Sequence, residues 1–244
     1  MVRFFFATMT HPPKNNFIRD ILLYTLFAIS MAYLESAVVV YLRDIYYPSG
    51  FKFPLIPLSL RIYATEIGRE AATILMLWAA SGIRSKSRSE WFAIFMYNFA
   101  FWDIWYYIWL KVLVNWPVTL LDWDILFLIP LPWTGPVLAP VIISLMMIFA
   151  AIVILRIENS GTPFIFSTRD IVLGITAGTI IIGSFLWQTG NIVAGQVPDY
   201  FPWWIFASGA VLGLVVFLLR YRDISNMQKK PPETRITEEV SPAP

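Results

Sequence analysis

Residues 137–156 read VLAPVIISLMMIFAAIVILR, and no charged side chain interrupts them between Val137 and Leu155. A helix rises about 1.5 Å per residue, so about 20 apolar residues cross a hydrocarbon core about 30 Å thick. The run is continuous rather than striped, which is how a lipid-facing helix reads. It ends at Arg156, and Gly161 and Pro163 mark the connection that follows.

Five more segments share this character: 18–42, 62–83, 91–115, 171–189 and 203–221. Pro48, Pro54 and Pro57 fill the first connection, Arg84, Lys86 and Arg88 the second, and Pro198 and Pro202 the fifth. Tyr46, Tyr47, Trp91, Trp116, Trp203 and Trp204 gather near segment ends, where interfacial aromatic belts form. The expected fold is an all-α, polytopic membrane helical bundle of about six transmembrane helices. Residues 1–17 form a cytoplasmic N-terminal segment, 18–221 a single transmembrane domain, and 222–244 a polar, proline-containing tail that reads as disordered.

Composition agrees. Hydrophobic residues make up 58% of the chain and charged ones 14%, against about a quarter charged in soluble domains. A net charge of +2 provides no basic field for nucleic acid. With no cysteine there are no disulfides, thiolate metal sites or iron–sulfur clusters. The single histidine, His11, lies in the polar N-terminal stretch, which speaks against haem and histidine-dependent hydrolysis. No cofactor and no metal is expected. Met1–Met9 resembles a secretory leader only faintly, because its apolar run is short and His11-Pro-Pro-Lys14 interrupts it.

The basic residues give the orientation. With six spans, one side holds three at the N-terminus (Arg3, Lys14, Arg19) and three in the second connection. The fourth connection adds Arg156 and Arg169, and the tail adds Arg220, Arg222, Lys229, Lys230 and Arg235: thirteen of the 18 Lys and Arg residues. The other side holds Arg43, Lys52, Arg61 and Lys111. Basic residues mark the cytoplasmic face, so both termini are expected there, in a cell (inner) membrane.

Residues 116–136 are too apolar for an ordinary loop, yet prolines stand at 117, 130, 132 and 136. An interfacial or re-entrant half-helix on the outer side is one reading, provided protein covers its unpaired backbone. A loop lying flat on neighbouring helices is the other.

Charge at membrane depth is the chemically suggestive feature. Glu35 lies in the first span, Glu66, Arg69 and Glu70 in the second, and Asp103 in the third. Counted from the inner ends, Asp103 lies at roughly 18 Å, Glu70 at roughly 20 Å and Glu35 at roughly 21 Å, with Glu66 one turn further out. The second span cannot begin after Glu70, since residues 71–83 supply only roughly 20 Å of helix. Each charge at the centre costs about 2.5–3.5 kcal/mol, and each Leu, Ile or Val returns about 0.3–0.6. Three ions therefore need pairing, protons, water or a shallower position. Glu66 and Glu70 stack at i, i+4, with Arg69 three residues after Glu66. Arg69 neutralises one carboxylate but not both; the other needs a proton, a cation or help from another helix. Ala28, Ala32 and Glu35 share a face of the first helix, and Tyr106 or Tyr107 on the third could donate to a carboxylate. The alternative is a set of buried salt bridges that lock three helices together.

Other features carry less. Gly174-x-x-x-Gly178 and Gly209-x-x-x-Gly213 suit close helix packing. Gln188 and Asn191 read as helix-end polar groups. Asp122 and Asp124 could join Arg61 at an outer mouth, or simply be solvated loop residues. The aromatic run from Phe99 to Trp109 surrounds its helix and reads mainly as packing and lipid contact. Phosphate-loop, zinc-protease, nucleophile-elbow and dinucleotide motifs are missing. The expectation is a transport-type or ion-coupled protein using proton- or cation-binding carboxylates, with the lipid bilayer as its surroundings. Its apolar second half offers surface for membrane-protein partners or a homo-oligomer. An intramembrane enzyme doing acid/base chemistry on a lipid or isoprenoid is a rival reading, and a cofactor-free assembly subunit another.

Overall fold

The computed structural model describes residues 17–129 and 131–229. The N-terminal segment with His11, Pro130 and the tail beyond 229 lie outside the described residues.

The chain is predominantly helical. In order it forms α1 (Phe17–Tyr46), α2 (Leu60–Gly82), α3 (Arg88–Val114), β1 (Trp123–Phe127) and β2 (Trp133–Pro136). There follow α4 (Leu138–Asn159), α5 (Thr168–Leu186), the short α6 (Thr189–Val193) and α7 (Trp203–Lys229). Serine side chains cap the starts. Ser59 accepts from the Ile62 N–H, Ser87 from Glu90, and Ser167 forms a reciprocal capping box with Asp170. Pro140 stands in the first turn of α4, where a missing N–H costs no helical bond. Asn115 ends α3 in the left-handed region at φ 54°.

Four helical segments are long and apolar enough to cross a membrane: Phe17–Tyr46, Leu138–Asn159, Thr168–Val193 and Trp203–Met227. They mark the chain as membrane-embedded. Helices α2 and α3 have 23 and 27 residues, long enough to span. Arg61, Glu66, Arg69 and Glu70 dilute the hydropathy of the first. Charged, amide and tyrosine side chains dilute that of the second.

Residues 116–136 hold a strand hairpin rather than a half-helix. Strands β1 and β2 pair antiparallel, with Trp123 opposite Pro136, Asp124 opposite Gly135 and Ile125 opposite Thr134. The register shifts between Ile125 and Phe127, a bulge that adds twist. Prolines deny this stretch a continuous helix, while Trp, Ile and Phe suit a half-buried strand. The hairpin is pressed hard against the second half of the chain. A Cβ on Gly135 would stand 3.0 Å from both Phe185 and Phe201.

Helix α3 packs between α1 and α4 and also contacts α2, while α5 pairs with α7. Ala28, Met31, Ala32, Leu77 and Trp102 form one buried cluster, joining α1, α2 and α3. Ala139, Phe185, Phe201 and Phe206 form another beneath the hairpin. The glycine motifs divide. Gly209 lies against α5, where an added Cβ would come within 2.9 Å of the Ala177 carbonyl oxygen. Gly174 and Gly178 meet nothing within 4 Å, so the close packing expected of that pair comes from α7 alone.

Candidate functional site

Each charged side chain read at membrane depth belongs to one connected region between α1, α2, α3 and the hairpin. Glu35 and Thr73 meet across α1 and α2: the Thr73 hydroxyl donates to Glu35 Oε2 at 3.1 Å. The guanidinium of Arg69 pairs with Glu35 through Nη1, and through Nε it donates to Glu66 Oε2 at 2.9 Å. One cation thus serves two carboxylates, one from its own helix at i−3 and one from α1. Such a pair is tolerated in low dielectric only with this degree of satisfaction.

Glu70, one turn on from Glu66, does something else. Both of its oxygens accept from the backbone N–H of Leu128, at 3.1 and 2.8 Å. It fastens the end of β1 to α2 and satisfies an edge amide that lipid could not. Among the described residues it has no ion-pair partner. Asp103 on α3 accepts from the Ser144 hydroxyl of α4 at 2.8 Å. Glu35, Glu66, Glu70 and Asp103 are all at most 9% exposed.

A second pair lies further along α1. Arg43 Nη2 donates to Asp124 Oδ1 of β1 at 3.2 Å, and both are buried. Its guanidinium carbon also stands 3.9 Å from the Trp116 ring centroid and 4.5 Å from that of Phe51, so aromatic faces share its charge. Burial pushes the Asp124 carboxyl up to about 6, with Arg43 pulling the other way. Arg43 Nη1 and Asp124 Oδ2 are buried without a hydrogen-bond partner.

Two cavities open onto these groups. The smaller, about 50 Å³, is lined by Glu35, Arg69, Glu70, Asp103, Tyr106 and Tyr107 among others. The larger, about 330 Å³, lies between the C-terminal end of α1, the connection 47–59, the start of α2, the hairpin and α6. Val39, Arg69, Glu70, Tyr106 and Ile125 line both. Its walls are mainly apolar, and its polar residues include Glu66, Glu70, Asp124, Arg43 and Arg69. Five carboxylates and two guanidiniums line the two cavities together, an excess of three negative charges when all are ionised.

Two secondary candidates are placed elsewhere. Arg61 is exposed near the start of α2, and its carbonyl caps the Thr65 hydroxyl. Asp122 accepts from the Thr119 hydroxyl at 2.8 Å and the Val118 N–H at 2.7 Å. Slight burial raises its carboxyl, but these bonds outweigh that and hold it below the usual carboxylate range. Asp122, Asp124 and Arg61 do not meet at a mouth, since Asp124 turns inward to Arg43. Gln188 and Asn191 bond to each other, and Gln188 also to Asp199 and the Tyr200 carbonyl. Thr189 donates to the Pro132 carbonyl at 2.8 Å. These polar groups dock α6 onto the hairpin at the edge of the larger cavity.

Sequence reading missed Arg43, Thr73 and Ser144. Arg43 had a signal: Glu35, Val39 and Arg43 follow at four-residue steps, one face of one helix. The two hydroxyls had none, since Ser and Thr are common in apolar helices. No protein family, no curated protein and no solved structure matches the chain.

Proposed function

We propose that this chain is a six-span inner-membrane protein with both termini cytoplasmic, whose first three helices and hairpin hold a proton- or cation-binding site used in transport. Helices α2 and α3 complete the six, since their mid-helix carboxylates Glu66, Glu70 and Asp103 are buried against protein. The parity of six agrees with the segregation of basic residues. One observation carries the functional reading: five buried carboxylates share a connected space with two guanidiniums. A medium of low dielectric does not hold three uncompensated negative charges, so protons or cations must accompany them.

The test is proton uptake by the purified protein in liposomes. Single amide variants of Glu35, Glu66, Glu70 and Asp103 are expected to insert normally and to lower uptake. Normal uptake by all four overturns the reading. The wide apolar walls of the larger cavity also suit an enzyme doing acid/base chemistry on a lipid or isoprenoid. Lipid extracts from cells with and without the gene separate the two, since only an enzyme changes the lipid profile. The lipid-facing surfaces of α5 and α7 leave room for membrane-protein partners or a second copy.

A further inference from the structure

The larger cavity has properties that together select an occupant. Val39, Leu42, Leu58, Tyr63 and Ile192 give it apolar and aromatic walls on several sides. Its own charged residues are Glu66, Glu70 and Asp124 against Arg43 and Arg69, one negative charge in excess. Glu35 and Asp103 of the adjoining cavity add two more. Glu66 and Asp124 are already paired with the two arginines. Glu70, 6% exposed, is the chamber's carboxylate without an ion-pair partner among the described residues, and it accepts from the Leu128 backbone N–H. Asp124 is 2% exposed and paired with Arg43.

We infer that this chamber binds a hydrophobic organic cation, with the positive centre against Glu70 and the apolar body between Tyr63, Leu58 and Ile192. A neutral lipid would fill the walls and leave a proton as the only means of neutralising Glu70. An amphipathic anion would add to an existing excess of negative charge. A cation with an apolar body satisfies both, and the aromatic residues Tyr63 and Tyr106 line the same chamber. The inference deepens the transport-type reading and rests on it for the role of the bound cation.

Equilibrium binding to the full-length chain in lipid nanodiscs tests it, with radiolabelled tetraphenylphosphonium as probe and empty nanodiscs as background. Tetraphenylborate, of the same shape and opposite charge, is the comparison. Saturable binding of the phosphonium alone is expected. Glu70→Gln, which can still accept from Leu128, is expected to weaken it at least 10-fold, and Glu70→Asp to weaken it less. Val39→Phe narrows the chamber without changing charge and is expected to weaken binding too, an arm that stands if the Glu70 variants fail to fold. Saturable borate binding, absence of saturable phosphonium binding, or equal affinity in wild type, Glu70→Gln and Val39→Phe would each overturn the inference. Binding needs no proton movement, so the two readings fail separately. Proton uptake without phosphonium binding removes the organic cation and keeps the proton site; the opposite result removes proton coupling and keeps the ligand.

Discussion

Arg69 of α2 and Glu35 of α1 form a buried ion pair, and the same guanidinium holds Glu66 at 2.9 Å. With the Thr73–Glu35 hydrogen bond, the pair links two helices that otherwise touch sparsely. Removing the cation leaves Glu35 and Glu66 without a counter-charge, and because Arg69 is part-buried the cost falls below the about 3–5 kcal/mol of breaking a fully buried pair. Arg69→Met is therefore expected to lower thermal stability in detergent. The triple variant Arg69→Met, Glu35→Gln, Glu66→Gln is expected to recover most of the loss. A triple variant no more stable than the single one would show that the charges are not the cause.

Glu70 has a separable structural role. Glu70→Ala strips the acceptor from the Leu128 amide, a loss of about 1–3 kcal/mol for a buried donor left unpaired. Hydrogen exchange at Leu128 is expected to accelerate in Glu70→Ala and to stay near wild type in Glu70→Gln. Equal exchange in all three proteins would dissociate the hairpin from α2.

Asp124 on β1 titrates near 6 in the fold, above the ordinary carboxyl value of about 3.9. The folded chain therefore holds this proton more tightly than the unfolded chain does. Its contribution to stability rises as pH falls through about 6 and levels off below about 4. Thermal midpoints of wild type and Asp124→Asn, compared at pH 7.5 and pH 4.5, are expected to show a larger gain on acidification in the wild type. An identical pH response in the two proteins would rule out Asp124 as the titrating group.

Gly135→Ala places a methyl 3.0 Å from two aromatic rings. Overpacking of this kind costs about 1–3 kcal/mol. Gly174→Ala, where the added carbon meets open space, is expected to be neutral or slightly stabilising within its helix. Thermal unfolding of the two variants side by side gives the contrast.

The helices were legible because long apolar runs leave few alternatives, and Ser59, Ser87 and Ser167 stand where helices begin. The hairpin was not. A short run such as Trp123–Phe127, flanked by prolines, has no periodicity that separates a strand from a buried half-helix. Its pairing depends on Glu70 and on the rings of Phe185 and Phe201, which lie far away in the chain. The acids stand out in the sequence on insertion cost alone, and the structure brings Glu35, Glu66, Glu70 and Asp103 around one connected space. Their partners were harder to find. Thr73 and Ser144 carry no mark in the sequence, and Arg43 falls one residue past the expected first span, among the charges of the outer side.

The bond between Glu70 and the Leu128 amide joins residues 58 positions apart. Synthesis runs from the N-terminus, so α2 is made well before the hairpin that completes its polar side. For that interval Glu70 lacks the contact it has in the finished protein, and only Arg69 and the helix already laid down can shield it. The order of manufacture thus leaves α2 without this polar partner until residues up to 128 have been made.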